Sequence, residues 1–378
     1  MTREEAIALG VEVQETQHSM KRRTPWHDYS RKGTYMLTLV VQDRVPLFGT
    51  LKGILDATSS IDRPRVELSP LGKLIRDEEI RKIHQFYPQL EIWRLCIMPD
   101  HLHMIVRVNE DMGEGKHLGQ VIKGFKTGCS RAWWRLQDET AGKSAVTVTP
   151  SASLTQVATV PSASLNAQAA TVPSASQAQV ATVPSASPEG MRPVLFEPGY
   201  NDKILLRPDQ LDNWKRYLDD NPRRLMAKRL RPDLFTVLSD MEVAGERCQA
   251  VGNRFLLDIP DKMAVIVHRR YTDEENARLR EEWLACGERG GVLVSAAIAQ
   301  KEKEVMREAM DRGYSIILLR ENGFPPLYKP VGESFNACAE GLLLQISPWE
   351  YHMDRKTITR EQCLHLNAMA ESLAGYSR

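Results

Sequence analysis

The sequence predicts two units of mixed α and β structure. The first is a small antiparallel sheet with helices on one face, an α+β fold; the second is a parallel α/β sheet. Three observations carry this. Residues 92–108 read as two strands joined at Pro99-Asp100, a pair of turn formers. Up to about residue 235 the pattern runs strand, helix, strand, strand, helix. Beyond residue 242 short apolar strands alternate with helices, the pattern of parallel strands joined by crossovers.

In chain order, residues 34–41 are rich in β formers and give the first strand. Ser69 caps a helix whose first position is Pro70, and Leu71, Leu74, Ile75, Ile80 and Ile83 follow at helical spacing. A strand over 92–98 precedes the turn. Residues 101–108 then alternate: Leu102, Met104, Val106 and Val108 make one apolar face, and His101, His103, Ile105 and Arg107 make the other. A second helix covers about 117–136, with Leu118, Ile122, Phe125, Cys129 and Ala132 as its apolar stripe. Lys123, Lys126, Arg131 and Arg135 decorate the rest of it, with Trp133 and Trp134 near its end. Those cations form either a solvated face or a surface that tracks phosphates, with aromatics for base stacking.

From about residue 144 to 190 a unit like Ala-Thr-Val-Pro-Ser-Ala-Ser repeats, with Pro150, Pro161, Pro173 and Pro184 marking its period. It holds no charge between Val146 and Pro188 and offers little apolar bulk. Such a segment cannot offset its ordering entropy, so it is expected to be a disordered insertion whose deletion leaves folding intact. After it, a helix opens near Pro208 or Asp209, buries Leu211, Trp214 and Leu218, and is expected to end at Pro222. Tyr217 and Asn221, at i and i+4, share one face of that helix.

Hydrophobic residues at 42% and charged residues at 26% fit a globular protein. A net charge of +1 excludes a global basic field, so any nucleic-acid surface is a local patch. The six cysteines are scattered without a C-x-x-C pair, as in reduced thiols of a cytoplasmic protein. The N-terminus lacks the apolar run of a signal peptide, and no stretch of 18 apolar residues exists, so neither secretion nor a membrane span is expected.

The strand period puts His101 and His103 on one face, a spacing at which two neutral imidazoles hold one metal ion. The same spacing also suits two ordinary surface histidines. Tyr217 and Asn221 would bring a phenol and a carboxamide toward such a site, although an amphipathic tyrosine packed in a core fits the helix pattern as well.

Four ordered blocks add to this. They are residues 33–44 with Leu47-Phe48-Gly49, then Met98-Pro99-Asp100-His101-Leu102-His103, then Gly199-Tyr200-Asn201-Asp202-Lys203-Ile204-Leu205, and residues 216–223 around Tyr217, Asn221 and Pro222. Together they resemble the single-tyrosine HUH transposases of the insertion sequence 200/605-like family, closest to the REP-associated tyrosine transposases, over about residues 20–235 without the insertion. The resemblance implies a tail over 1–20 and a ferredoxin-like, RRM-like HUH domain over 21–235, interrupted at 144–190. It implies that His101, His103 and Asn221 bind a divalent metal, Mg²⁺ or Mn²⁺, and that Tyr217 attacks a phosphodiester to give a 5′-phosphotyrosine and transfer the strand. Single-stranded or hairpin DNA is the implied partner, and a homodimer is one candidate assembly. Lys21, Arg22, Arg23, Arg107, Lys123, Lys126, Arg131, Arg223 and Arg224 are the candidate backbone contacts, in a cytoplasmic, nucleoid-associated protein. Two positions depart from the family pattern. Asp100 replaces an asparagine, and Lys203 stands where a histidine usually follows the aspartate. An active enzyme and a domesticated hairpin-binding protein both remain open.

Over 242–378, strands at 263–268, 291–295, 314–320 and 342–346 alternate with helices at 273–287 and 299–312. Val294-Ser295 before a helix, and residues 313–318 after it, resemble the Rossmann-like domain of Smf-like DNA-processing proteins. The glycine-rich phosphate turn of that domain is absent, because residues 295–300 read Ser-Ala-Ala-Ile-Ala-Gln. A structural or DNA-positioning accessory role is therefore expected in preference to nucleotide binding.

Overall fold

The structure, a computed structural model, describes residues 3–8, 10, 27–144, 192–268, 270–354 and 357–375. The repeat over 145–191 and the candidate contacts Lys21, Arg22 and Arg23 lie outside the described residues. The chain divides into two compact units, Met1–Pro222 and Arg223–Arg378. Each is of mixed α and β structure, and the first is built on antiparallel pairing. Among the described residues no helix is long and apolar enough to cross a membrane.

The first unit begins with a short helix α1 (Arg3–Ala8). Strand β1 (Gly33–Val40) follows, then a two-stranded ribbon of β2 (Gly49–Lys52) and β3 (Arg65–Leu68). Helix α2 (Pro70–Leu74) starts where expected, with the Gly72 N–H donating to the Ser69 hydroxyl at 3.1 Å. A π turn (Ile75–Glu79) then leads into α3 (Ile80–Phe86). Next come β4 (Leu90–Ile97), β5 (His101–Val108), α4 (Leu118–Ser144), β6 (Asn201–Ile204) and α5 (Asp209–Leu230). The four-stranded sheet runs β4-β5-β1-β6, antiparallel throughout. This is the split βαβ order, in which a later strand inserts between the two strands joined by the first crossover.

One face of the sheet holds the main core. Tyr35, Leu37 and Leu39 of β1 and Leu102, Met104, Val106 and Val108 of β5 pack on Leu71, Ile75 and Ile83 and on the α4 stripe of Leu118, Ile122, Phe125 and Cys129. Burial of each such side chain contributes about 1.5–3 kcal/mol. Within the π turn, Glu79 is buried and pairs with Lys82 at 2.5 Å. Its carboxylate lies so close to Gly128 of α4 that a Cβ there would meet it at 2.3 Å, so a larger residue would force the Glu79 side chain to shift.

Two expectations are corrected here. Helices were expected on one face of the sheet, yet α5 covers the opposite face through Leu218, with Leu211 and Trp214 packed alongside. The reason is a second apolar patch, Met36, Ile105 and Cys96, which an uncovered face would leave in water. Pro222 does not end α5, which continues to Leu230. Proline removes its own N–H and its ring crowds the carbonyl four residues back, a cost the packed helix carries without ending.

In the second unit, β9 (Lys262–Ala264), β10 (Val292–Ser295), β11 (Ser315–Leu319) and β12 (Leu343–Ser347) are parallel neighbours in chain order. Helices α6 (Asp273–Glu288), α7 (Gln300–Asp311) and α8 (Glu333–Ala339) connect them, and α9 (Arg360–Leu373) follows. An antiparallel hairpin, β7 (Leu238–Val243) and β8 (Glu246–Gly252), extends the sheet beside β12. At the start of α7, the turn that departs from the glycine-rich pattern is closed from within. The buried Glu302 carboxylate accepts the N–H groups of Val267 (2.8 Å), Ile298 (2.7 Å) and Ala299 (3.0 Å). The Glu302 carboxylate thus occupies the loop donors just ahead of α7.

Candidate active site

The face of the first sheet beneath α5 is set by register. Val40 of β1 pairs with His101 of β5, Thr38 with His103, and Met36 with Ile105. On the other side of β1, Thr38 pairs with Asn201 and Met36 with Lys203 of β6. Paired residues project to the same side of a sheet, so His101, His103, Thr38, Asn201 and Lys203 share one face. The buried Leu218 seats α5 on Met36 and Ile105. At the sheet's other edge, Arg94 of β4 donates two hydrogen bonds to the Asp219 carboxylate, at 2.7 and 2.5 Å.

The imidazoles of His101 and His103 lie edge to face with centroids 4.8 Å apart. His101 Nδ1–H donates to Asp100 Oδ1 at 2.6 Å, and the second oxygen of Asp100 accepts from Arg44 Nη1 at 3.0 Å. Burial alone would raise the Asp100 carboxyl, but His101 and Arg44 outweigh it and hold the group below the usual carboxylate range. Nδ1 of the buried His103 shares a 2.8 Å hydrogen bond with the Thr38 hydroxyl. Burial first, then the neighbouring His101 and Lys203, push the His103 imidazole well below the ordinary histidine range. It is neutral at neutral pH, the form a metal needs. Cys96, cross-strand from His103, is pushed up to about 12 by burial and packs as a thiol in the α5 interface.

Tyr217 stands over this pair. Its ring centroid is 5.8 Å from that of His103, and the residue remains 38% exposed. One helical turn on, Asn221 is 7% exposed and its Nδ2 has no hydrogen-bond partner. An unmet amide N–H calls for an acceptor such as water or a phosphate oxygen, whereas a cation would be held by the carboxamide oxygen. Among the described residues no group of three or more His, Cys, Asp or Glu is placed to hold a metal, so a site here needs the carboxamide as third ligand. Both histidines engage Nδ1 within the protein, and for His101, whose partner is a carboxylate, this leaves Nε2 for a cation; His103 offers Nε2 when its Nδ1–H donates to Thr38. Two imidazoles and one carboxamide would be too few nitrogen or sulfur donors for a closed Zn²⁺ site.

Among the described candidate DNA contacts of the first unit, Arg107 lies on one face of the sheet and Lys123, Lys126 and Arg131 on the other. Arg107 lies on the histidine face toward the far end of β5, bonded to the Thr34 hydroxyl at 3.1 Å and 5.9 Å over the Trp93 ring. Lys123, Lys126 and Arg131 ride on α4, which packs against the opposite face of the sheet. Lys126 donates to the carbonyls of Glu197 (2.5 Å) and Gly199 (3.0 Å), anchoring the approach to β6. Lys123 borders two grooves of about 760 and 930 Å³, and Arg131 borders the larger. Arg223 and Arg224 belong to the second unit, where Arg223 donates to Asn336 and Arg224 lies 3.6 Å over the Phe335 ring. Thr38 and Arg44 are the site residues that the sequence did not single out. Each reaches its partner from more than fifty positions away, so no local pattern marks them.

No family model matches the chain. An uncharacterized protein of Haemophilus influenzae is 24% identical over 140 residues, 32% of this chain and 71% of that protein. Among solved structures, a REP-associated tyrosine transposase bound to a REP hairpin shares 12% identity with a TM-score of 0.27, covering 53% of this chain and 73% of its own. DNA processing protein A from Helicobacter pylori, solved for its single-stranded DNA binding mode, shares 20% identity with a TM-score of 0.28, covering 36% of this chain and 65% of its own.

Proposed function

We propose that the first unit cuts and rejoins single-stranded or hairpin DNA, with Tyr217 as the nucleophile. One observation carries this: a half-exposed phenol on a helix is held 5.8 Å, ring to ring, from the inner member of a paired-histidine face. A tyrosine placed only for packing would be turned into the α5 interface, as Leu218 beside it is. His101, His103 and Asn221 are the residues that would hold a divalent cation, which when bound supplies polarisation of the scissile phosphate and charge neutralisation.

In the cutting step Tyr217 Oη forms a bond to phosphorus and loses its proton to solvent. The bond to the 3′ oxygen breaks, and that oxygen takes up a proton. The products are a 5′-phosphotyrosine and a free 3′-hydroxyl, and rejoining is the reverse step with another 3′ end. Phosphodiester energy stays in the tyrosyl link, so no nucleotide is consumed. Lys203, exposed on the same face, is placed to meet the phosphate's negative charge.

The test is a labelled single-stranded hairpin incubated with the protein and Mn²⁺, then run on a denaturing protein gel. A covalent band should form with wild type and be lost in Tyr217→Phe, which keeps the ring and removes only the attacking oxygen. Equal bands from both proteins would remove Tyr217 from the reaction. Hairpin binding by wild type with no band under any divalent metal would favour a binding protein that no longer cuts.

A further inference from the structure

We infer that Arg44, Asp100 and His101 form a positioning chain that fixes which nitrogen of His101 faces the metal position. The inference rests on the metal reading above and concerns the carboxylate at Asp100.

A carboxylate accepts hydrogen bonds and donates none, so the 2.6 Å bond from Asp100 Oδ1 requires the proton of His101 to sit on Nδ1. Nε2 is then left with its lone pair. His103 is not constrained this way, because its partner is the Thr38 hydroxyl, which either donates or accepts. His101 is thus the ligand whose tautomer the protein sets in advance.

The carboxylate is itself held from several sides. Arg44 Nη1 takes the second oxygen at 3.0 Å, and the Asp100 side chain is only 6% exposed. The Val41 N–H donates to the Asp100 carbonyl and the Phe48 N–H to the Pro99 carbonyl, both at 2.9 Å, so the 41–48 loop clasps the turn before β5. To aim Arg44, that loop places two consecutive non-glycine residues, Asp43 and Arg44, in the left-handed region at φ 55° and 54°. Such backbone is unfavourable for both residues and persists only where the surroundings over-determine it.

The chemistry gives the carboxylate a purpose that an asparagine would serve less well. The candidate ligands His101, His103 and Asn221 are all neutral, so a divalent cation among them would meet no compensating charge. Asp100, one hydrogen bond behind His101, brings a negative charge close and raises the basicity of Nε2. A charge-assisted bond is also the stronger one.

The experiment has two arms. In metal-free protein with ¹⁵N-labelled histidine, long-range proton–nitrogen correlation spectra should find His101 as the Nδ1–H tautomer. Asp100→Ala should lose that preference, and Asp100→Asn should keep part of it, because a carboxamide oxygen also accepts. In the second arm, Mn²⁺ titration followed by electron paramagnetic resonance should show about 10–100-fold weaker binding by Asp100→Ala and a smaller loss for Asp100→Asn. Far-UV circular dichroism checks that each variant is folded. If Asp100→Ala does not fold, Asp100→Asn and Arg44→Gln carry both arms. An Nε2–H tautomer in wild type, or folded variants with wild-type tautomer and Mn²⁺ affinity, would overturn the inference. If wild type binds no Mn²⁺, the metal reading falls and the tautomer arm alone decides the positioning chain.

Discussion

At the scale of single residues, the site depends on bonds made across the sheet. Thr38 is the partner of a buried imidazole, so Thr38→Val should leave His103 Nδ1 unpaired and cost about 1–3 kcal/mol. Thr38→Ser keeps the hydroxyl and should restore most of that loss, with urea denaturation followed by tryptophan fluorescence as the check. Removing Arg94 from its half-exposed pair with Asp219 should matter far less. Arg94→Gln is expected to cost under about 1 kcal/mol in the same assay, since both partners remain solvated. The two histidines were legible in the sequence because a strand's period of two is a local property, and β5 begins and ends where the alternation does. Thr38 and Arg44 were not legible. What joins them to His103 and Asp100 is the register of β1 against β5 and the path of a loop, neither of which a window of neighbouring residues contains.

At the scale of elements, α5 decides whether the site is assembled. Leu218 is 1% exposed against Met36 and Ile105, and Tyr217 is its chain neighbour. Leu218→Ala should destabilise the first unit by about 2–5 kcal/mol in denaturant titration. It should also lower the yield of covalent DNA adduct at temperatures where the variant is still folded, because a loosened helix no longer holds the phenol beside His103. The apolar stripe of α5 was legible from its spacing, but the face it covers was not. Ile105 among His101, His103 and Arg107 looked like an exception on a polar face, and it is the floor of a second small core. β6 was missed as a strand for a different reason. Asn201-Asp202-Lys203-Ile204 holds a single β former, and pairing with β1, not propensity, makes it extended.

At the scale of the molecule, alternating strands and helices beyond residue 260 were enough to place four parallel strands. The hairpin beside them was hidden by its turn, in which Ala244 and Gly245 adopt φ of 52° and 80° between β7 and β8. Such two-residue turns usually advertise themselves with Asn-Gly, and alanine in the first position removes the signal. Helix α9 starts with a capping box of Thr359 and Gln362, a local signal that was not used to place it. The internal carboxylate at the start of α7 gives this unit its own prediction. Glu302→Ala would strand three backbone donors, so it should lower the unit's stability by at least about 2 kcal/mol in calorimetry or denaturant titration. The central claim for the whole protein is that DNA becomes joined to one tyrosine. The most direct measurement is mass spectrometry of the adduct after nuclease trimming and proteolysis. The remaining 5′-linked nucleotide should be found on the peptide that contains Tyr217, and on Tyr217 in its fragment ions. A nucleotide carried by Tyr200 or any other residue, or no modified peptide from protein that has cut its DNA, would contradict it.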